Sequence, residues 1–195
     1  MAVSLTTIEK RYGTTRMAIF SVSLADREPV FMSVAETPYE NEKRGVVIVD
    51  ARKFLKRWRA DPYQTHQDIA RGNPRTWRQD DRFPAAAEGF SYGIKNPVPL
   101  AQVGDSEVKQ TSVTHTFLWF GRHEQTRHFR YVSFINGITR TIWLLSHGCK
   151  AFPVECPMSS ALNLHRAASV EGTQVFTVRD VQHGRISVHH PPPSH

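Results

Sequence analysis

Asn136-Gly137-Ile138-Thr139-Arg140 is the stretch of this chain best suited to hold an anion. An Asn-Gly pair permits the positive φ of a tight turn. Thr139 stands where it can cap or start a helix, and the free N–H groups of a helix start attract phosphate. Arg140 adds a charge-assisted donor. The chemistry implied is phosphate binding by Asn136, Gly137, Thr139 and Arg140, extended to hydrolysis if a nearby acid positions water. The same spacing also suits a plain strand-turn-helix connection.

Two other arginine groups invite a partner. Arg71, Arg75, Arg78 and Arg82 recur every three or four residues, with Trp77 among them. Arg75, Trp77 and Arg78 would suit single-stranded nucleic acid, the indole stacking on a base while the arginines follow phosphates. Gly72 and Pro74 oppose a continuous helix there, and Asp80-Asp81 cancel part of the charge, so a loop with one tucked tryptophan fits equally. Arg122, Arg127 and Arg130 lie in a basic connection between two expected strands, where they could grip phosphate or an acidic protein. His123 and His128 have a spacing known from zinc sites, but no second ligand pair accompanies them, so no metal is assigned. Asp80-Asp81 likewise lack further acidic ligands in sequence. Cys149 and Cys156, with six residues between them, read as two small buried hydrophobes.

The chain has 195 residues, enough for one domain with a proper core. Its formal net charge of +7 fits contact with nucleic acid, a nucleotide or an acidic protein surface, and equally a merely basic domain. No window approaches the roughly 18 apolar residues of a membrane span, and the start lacks the pattern of a signal peptide. The expectation is a cytosolic protein with no membrane insertion.

Elements must position these residues. Residues 17–34 read as two short strands around a turn at Asp26-Arg27-Glu28-Pro29. Val46-Val47-Ile48-Val49 is a β-branched run expected of a strand buried on both faces. Asp50 can cap a helix from Ala51 to about Ala60, with Phe54, Leu55 and Trp58 as its apolar stripe. Its remaining residues, Arg52, Lys53, Lys56, Arg57 and Arg59, form either a solvated basic face or a binding surface. Residues 61–82 read as an exposed loop with short helical pieces. Phe83–Phe90 reads as a short helix ended by Gly89 or Gly93. The segment around Ala101–Val103 suits a sheet edge, because Pro97 and Pro99 exclude a central strand just before it. Val113–Phe120 and Tyr131–Ile135 read as strands, with Gly121–Arg130 as a hairpin tip. A helix from Thr139 to His147, ended by Gly148, then returns through a strand Ala151–Glu155. Ala161–Ala168 reads as a helix and Val175–Val178 as a last strand, and the proline-rich end as a disordered tail.

The stretch FINGITRTIWLLSHGCKAFPVEC, residues 134–156, runs strand, Gly-x-x-Arg, helix, glycine, then a strand beginning Pro-Val. This resembles the signature of the ParB/sulfiredoxin-like superfamily. More narrowly, the chain resembles plasmid fertility-inhibition factors. Val46–Asp50 with its basic helix and Asn96-Pro97-Val98-Pro99-Leu100 sit in the expected order, so the likeness covers about residues 45–157. In ParB proteins the turn reads Gly-Glu-Arg-Arg and holds nucleotide phosphate. In sulfiredoxins it reads Gly-Gly-Cys-His-Arg, with the cysteine reactive. Related fertility-inhibition proteins often read Asn-Gly-Arg-His-Arg. Here Asn136, Gly137 and Arg140 match, while Ile138 and Thr139 occupy the reactive positions. Without a thiolate there, sulfiredoxin chemistry is unavailable at this turn.

The resemblance implies an α/β fold of ParB/sulfiredoxin type, a small mixed sheet flanked by short helices with an N-terminal β extension. The expected division is an extension over 1–44, a core over 45–157, a C-terminal helix and strand over 158–188, and a tail over 189–195. It implies a cytosolic bacterial protein that blocks conjugative transfer of a co-resident plasmid by binding its transfer machinery. The implied target is the type IV secretion coupling protein, a hexameric ATPase. No enzyme chemistry or cofactor is required for that, although a nucleotide suits the turn. The alternative is a nucleotide hydrolase, nuclease or DNA-binding protein acting on transfer DNA.

Overall fold

The computed structural model describes residues 3–11, 15–37, 40–63, 65–115 and 122–185. Four strands come first: β1 (Val3–Arg11), β2 (Thr15–Val22), β3 (Val30–Ala35) and β4 (Arg44–Asp50). Helices α1 (Ala51–Arg59), α2 (Gln67–Ala70), α3 (Pro74–Trp77) and α4 (Phe83–Ser91) follow. Then come β5 (Val98–Pro99), β6 (Ala101–His115), β7 (Arg122–Asn136), α5 (Ile138–Ser146), β8 (Ala151–Pro157), α6 (Met158–Ala168), β9 (Phe176–Thr177) and α7 (Val178–Gln182).

The strands form two mixed sheets. One has the order β1-β2-β3-β5, and the other β7-β6-β8-β4-β9. The valine run falls in β4, paired antiparallel to β8 with Val47 opposite Val154. Val46, Val47 and Val49 are fully buried. The expected hairpin over 17–34 is present as β2 and β3. Ala18, Phe20, Met32 and Val34 of the first sheet share one core with Val46, Val49, Val132, Phe152 and Val154 of the second. Burial of this apolar surface is the main stabilising term.

Asp50 caps α1 as its sequence position implies, accepting the N–H groups of Arg52 at 3.0 Å and Lys53 at 2.9 Å. Phe54 and Trp58 point inward, Phe54 edge-on to Phe152 at 5.3 Å between centroids. A smaller cluster of Trp58, Ala70, Trp77 and Ile142 ties the short helices α2 and α3 to α5.

Several expectations need correction. Ala101–Gln102 is not at an edge: these residues lie between β7 and β8, pairing parallel to β8 and antiparallel to β7. Pro97 and Pro99 precede the point where ladder donors are needed, so they do not keep the following residues out of the sheet interior. The strand expected at Val113–Phe120 is instead β6, beginning at Ala101; residues 116–120 lie outside the described residues. Most of the expected connection 121–130 belongs to β7, because the polar residues of a ribbon beyond the sheet need no apolar alternation. The last strand shrinks to Phe176–Thr177, with Val178 beginning α7 under a Thr177 cap. Gly89 lies inside α4 rather than ending it, and Gly93 with φ +61° follows the helix. The proline-rich tail, residues 189–195, lies outside the described residues.

One irregularity positions the turn. Gln102 pairs with Asn136 and Val103 with Phe134, leaving Ile135 as the extra residue of a β-bulge. A bulge breaks the two-residue alternation. Phe134 therefore packs on Phe54 and Trp58, while the Ile135 side chain is 68% exposed.

Candidate functional site

The Asn136–Arg140 turn forms as a tight bend between β7 and α5. Gly137 has φ +98° and occupies the N-cap position, so Thr139 lies inside the first helical turn and does not cap it. A Cβ on Gly137 would lie 2.8 Å from the Ala101 Cα, which makes glycine a requirement of packing as well as of φ. Thr141 fastens the bend from within α5, its hydroxyl donating to the Gly137 carbonyl at 3.0 Å.

Arg140 points back across the turn. Its Nη1 donates to the carbonyls of Pro99 at 2.6 Å and Leu100 at 3.2 Å, and its Nη2 to Asn136 Oδ1 at 3.2 Å. Burial pulls the guanidinium below its ordinary value. Arg140 thereby joins the β5–β6 connection to the start of α5. Asn136 is its partner rather than an independent anion ligand.

The outer side of the turn borders a cleft of about 280 Å³, lined among others by His66, Arg82, Asn136, Thr139 and Arg140. A neighbouring cleft of about 260 Å³ shares His66, Arg82 and Thr139 and adds Asp80 and Asp81. The first N–H groups of α5, which no carbonyl inside the helix reaches, belong to this region. His66 has φ +56°, a conformation uncommon for a residue with a side chain. Sequence reasoning gave His66 no role, since no spacing relates it to residue 139. The bend after α1 and the α3–α4 connection bring it there.

The Arg75-Trp77-Arg78 group does not form a stacking platform. Trp77 is 4% exposed, and its Nε1 donates to the Ile69 carbonyl at 2.6 Å. A buried ring offers no face to a base, so the tucked-tryptophan reading is correct. Arg78 donates to the Ser146 carbonyl at 3.0 Å, and Arg75 is exposed in α3.

The basic residues of α1 also turn inward. Arg57 binds Asp105 at 2.9 Å and the Arg130 carbonyl at 3.3 Å. Burial raises the Asp105 carboxyl, and the Arg57 charge opposes that rise. Arg59 binds the carbonyls of Ala70 at 2.8 Å and Gly72 at 3.0 Å. Lys53 reaches the Ser169 carbonyl at 3.3 Å. Three of the five cations brace neighbouring segments, so this face is neither simply solvated nor a free binding surface.

The β6–β7 ribbon carries the remaining arginines. Arg127 and Arg130 are exposed, and Arg130 Nε binds Glu107 at 3.0 Å. The Arg122 backbone pairs with His115, but its side chain lies outside what is described, as does that of His123. Side chains alternate faces along a strand, so Arg127 and Arg130 lie on opposite faces. These two do not make a single patch. Both cysteines are buried, and burial pushes each thiol up to about 12, so neither is a nucleophile at neutral pH. Among the described residues, no cluster of metal-binding side chains occurs and no helix is long and apolar enough to cross a membrane.

The sequence pattern that defines plasmid fertility inhibition factors matches residues 46–169, from β4 through α6 to the isolated bridge of Ser169 with Val49. The chain belongs to the plasmid fertility inhibition factor family. Protein osa of Shigella flexneri is 30% identical over 111 residues, 56% of this chain and 47% of that protein, so the match spans about half the relative's length. The crystal structure of Oncogenic Suppression Activity Protein, a plasmid fertility inhibition factor solved as a gold(I) cyanide derivative, is similar with a TM-score of 0.68. It is 22% identical, and the superposition covers 93% of this chain and 83% of that one. The likeness establishes a shared mixed α/β fold.

Proposed function

We propose that this protein blocks conjugative transfer of a co-resident plasmid by binding that plasmid's transfer machinery in the donor cytosol, and that the bound component is the type IV secretion coupling protein, a hexameric ATPase. The observation that carries this reading is the family pattern over residues 46–169. Arg140 supports it, since its contacts brace the turn and leave an adaptor that needs no chemistry. The exposed charges of the ribbon suit an acidic face on the ATPase, where complementary charge favours encounter and register. The finer fold assignment, to the ParB/sulfiredoxin-like superfamily, rests on the Gly137-x-x-Arg140 turn between strand and helix.

A second reading is favoured by one feature, the cleft beside the turn. His66, Arg82 and Thr139, with Asp80 and Asp81 next to them, are groups that could hold a phosphate and position water. In that version the protein is a nucleotide hydrolase or a nuclease acting on transfer DNA, with a nucleotide as ligand.

Mating frequency separates these readings. Donors carrying a conjugative plasmid would express the wild type, Arg140→Ala or Arg82→Ala at matched soluble levels. Suppression by all three supports the adaptor, and co-purification with the coupling protein must accompany it. Suppression that needs Arg82, together with nucleotide or DNA turnover by the purified protein, transfers support to the enzyme. Binding to DNA that weakens steeply with salt would instead mark a nucleic-acid target. No suppression of any plasmid group tested sinks the adaptor.

A further inference from the structure

A smaller cavity, of about 100 Å³, lies between the segment after α1 and strand β7. Trp58, Asp61, Tyr63, His66, Tyr131 and Phe134 are among its lining residues. In a chain with 25 lysines and arginines, none among the described residues lines it. Its aromatic rings form two edge-to-face pairs: Trp58 with Phe134 at 4.8 Å, and Tyr63 with Tyr131 at 6.1 Å. Tyr63 is 65% exposed and carries the aromatic lining out to the surface.

Asp61 is the decisive member. It is 6% exposed, yet among the described residues no lysine, arginine or histidine forms an ion pair with it. Its two oxygens accept the N–H groups of Tyr63 at 2.9 Å and Thr65 at 3.2 Å. A carboxylate has about four lone-pair sites, so acceptor capacity remains. A buried charge without a counter-charge is costly unless something cationic joins it. Aromatic faces are electron-rich and attract cations, most strongly organic ones that shed water easily. The space is well below the several hundred Å³ usual for a nucleotide-sized ligand and suits one small head group.

We infer that this cavity binds an organic cation, an alkylammonium or guanidinium head group, with Asp61 as its counter-charge and Trp58, Tyr63 and Tyr131 as its aromatic walls. The head group comes either from a lysine or arginine side chain of a protein partner or from a free small amine. The site itself does not depend on the adaptor reading; only the protein-partner source does.

The test titrates the full chain with tetramethylammonium chloride, then with the methylamides of N-acetyl-lysine and N-acetyl-arginine, at constant ionic strength. The Trp58 indole N–H and the Tyr63 ring are followed by NMR. Saturable shifts at these rings are expected. Asp61→Asn keeps an acceptor oxygen for the backbone but loses the charge, and weakens binding about tenfold or more. Tyr63→Ala, at an exposed position, weakens it about two- to fivefold and decides the matter if Asp61→Asn does not fold. Absence of saturable shifts, or equal shifts with the neutral isostere tert-butanol, overturns the inference. Once binding is shown, mating tests with Tyr63→Ala identify the source: lost suppression indicates a partner's side chain, and retained suppression a free amine.

Discussion

The turn at Asn136–Arg140 and the ribbon of β6 and β7 both carry arginines, but they use them differently. In the turn, Arg140 is half-buried and its donors meet two backbone carbonyls and Asn136. On the ribbon, Arg127 and Arg130 are exposed, and the Arg130 guanidinium meets Glu107, which is itself on the surface. A guanidinium with five donors can close a backbone connection as readily as it can meet a ligand. A net charge of +7 therefore overstates the charge available to a partner, since Arg57, Arg59 and Arg140 are all committed to the fold.

If the turn is scaffolding, its residues should matter to stability. The largest effect is expected at Gly137→Ala, where a Cβ meets the Ala101 backbone at 2.8 Å in a left-handed conformation. A loss of about 3 kcal/mol is expected in urea unfolding. Arg140→Ala leaves the Pro99 and Leu100 carbonyls without these donors and should cost about 2 kcal/mol, while donors with matched soluble protein still suppress mating. Loss of suppression at matched levels would break the comparison. Asp50→Ala, which removes a helix cap outside both regions, should cost about 1 kcal/mol and leave suppression intact, giving a control for stability alone.

Acid provides a further check. The hydrogen bond from His147 at 2.8 Å is the main reason the Asp26 carboxyl lies below its ordinary value. A depressed carboxyl contributes stability above its unfolded pKa, and that contribution is lost as pH falls through the folded value. The melting temperature should therefore drop on acidification below about pH 4, and drop less in Asp26→Asn. An identical drop in both would remove the pair from the account.

The smallest stability effect is expected on the ribbon. Arg127→Glu and Arg130→Glu should each change unfolding by less than about 0.5 kcal/mol. If the ribbon contacts the coupling protein, the substitution on the contacting face should raise transfer frequency in the presence of this protein. Arg127 and Arg130 lie on opposite faces, so the one that fails to respond identifies the face turned away from the partner.

Local chemistry made much of this fold legible. The valine run of β4, the Asp50 cap, the hairpin of β2 and β3, and the β7–turn–α5–β8 unit each announce themselves within one short stretch of chain, because burial period, capping and glycine turns are local signals. The ribbon was only partly legible. Its hairpin pairing could be anticipated, but residues 104–112 and 122–130 are polar apart from Val108 and Phe129 and owe their strand conformation to pairing with one another. The bulge at Ile135 was not legible at all, since it arises where β6 enters the sheet between β7 and β8.

The sequence by itself determined most helices and strands outside the ribbon, the family pattern over residues 46–169 and a glycine turn at 137, because these depend on residues close along the chain. Tertiary structure alone decided what the charged and aromatic groups do. It directs Arg140 onto carbonyls about 40 positions away, buries Trp77, gathers His66 and Arg82 beside Thr139, and encloses Asp61 among four rings. Side-chain roles of this kind are set by which distant segments the packed core brings together, and no spacing within one segment encodes them.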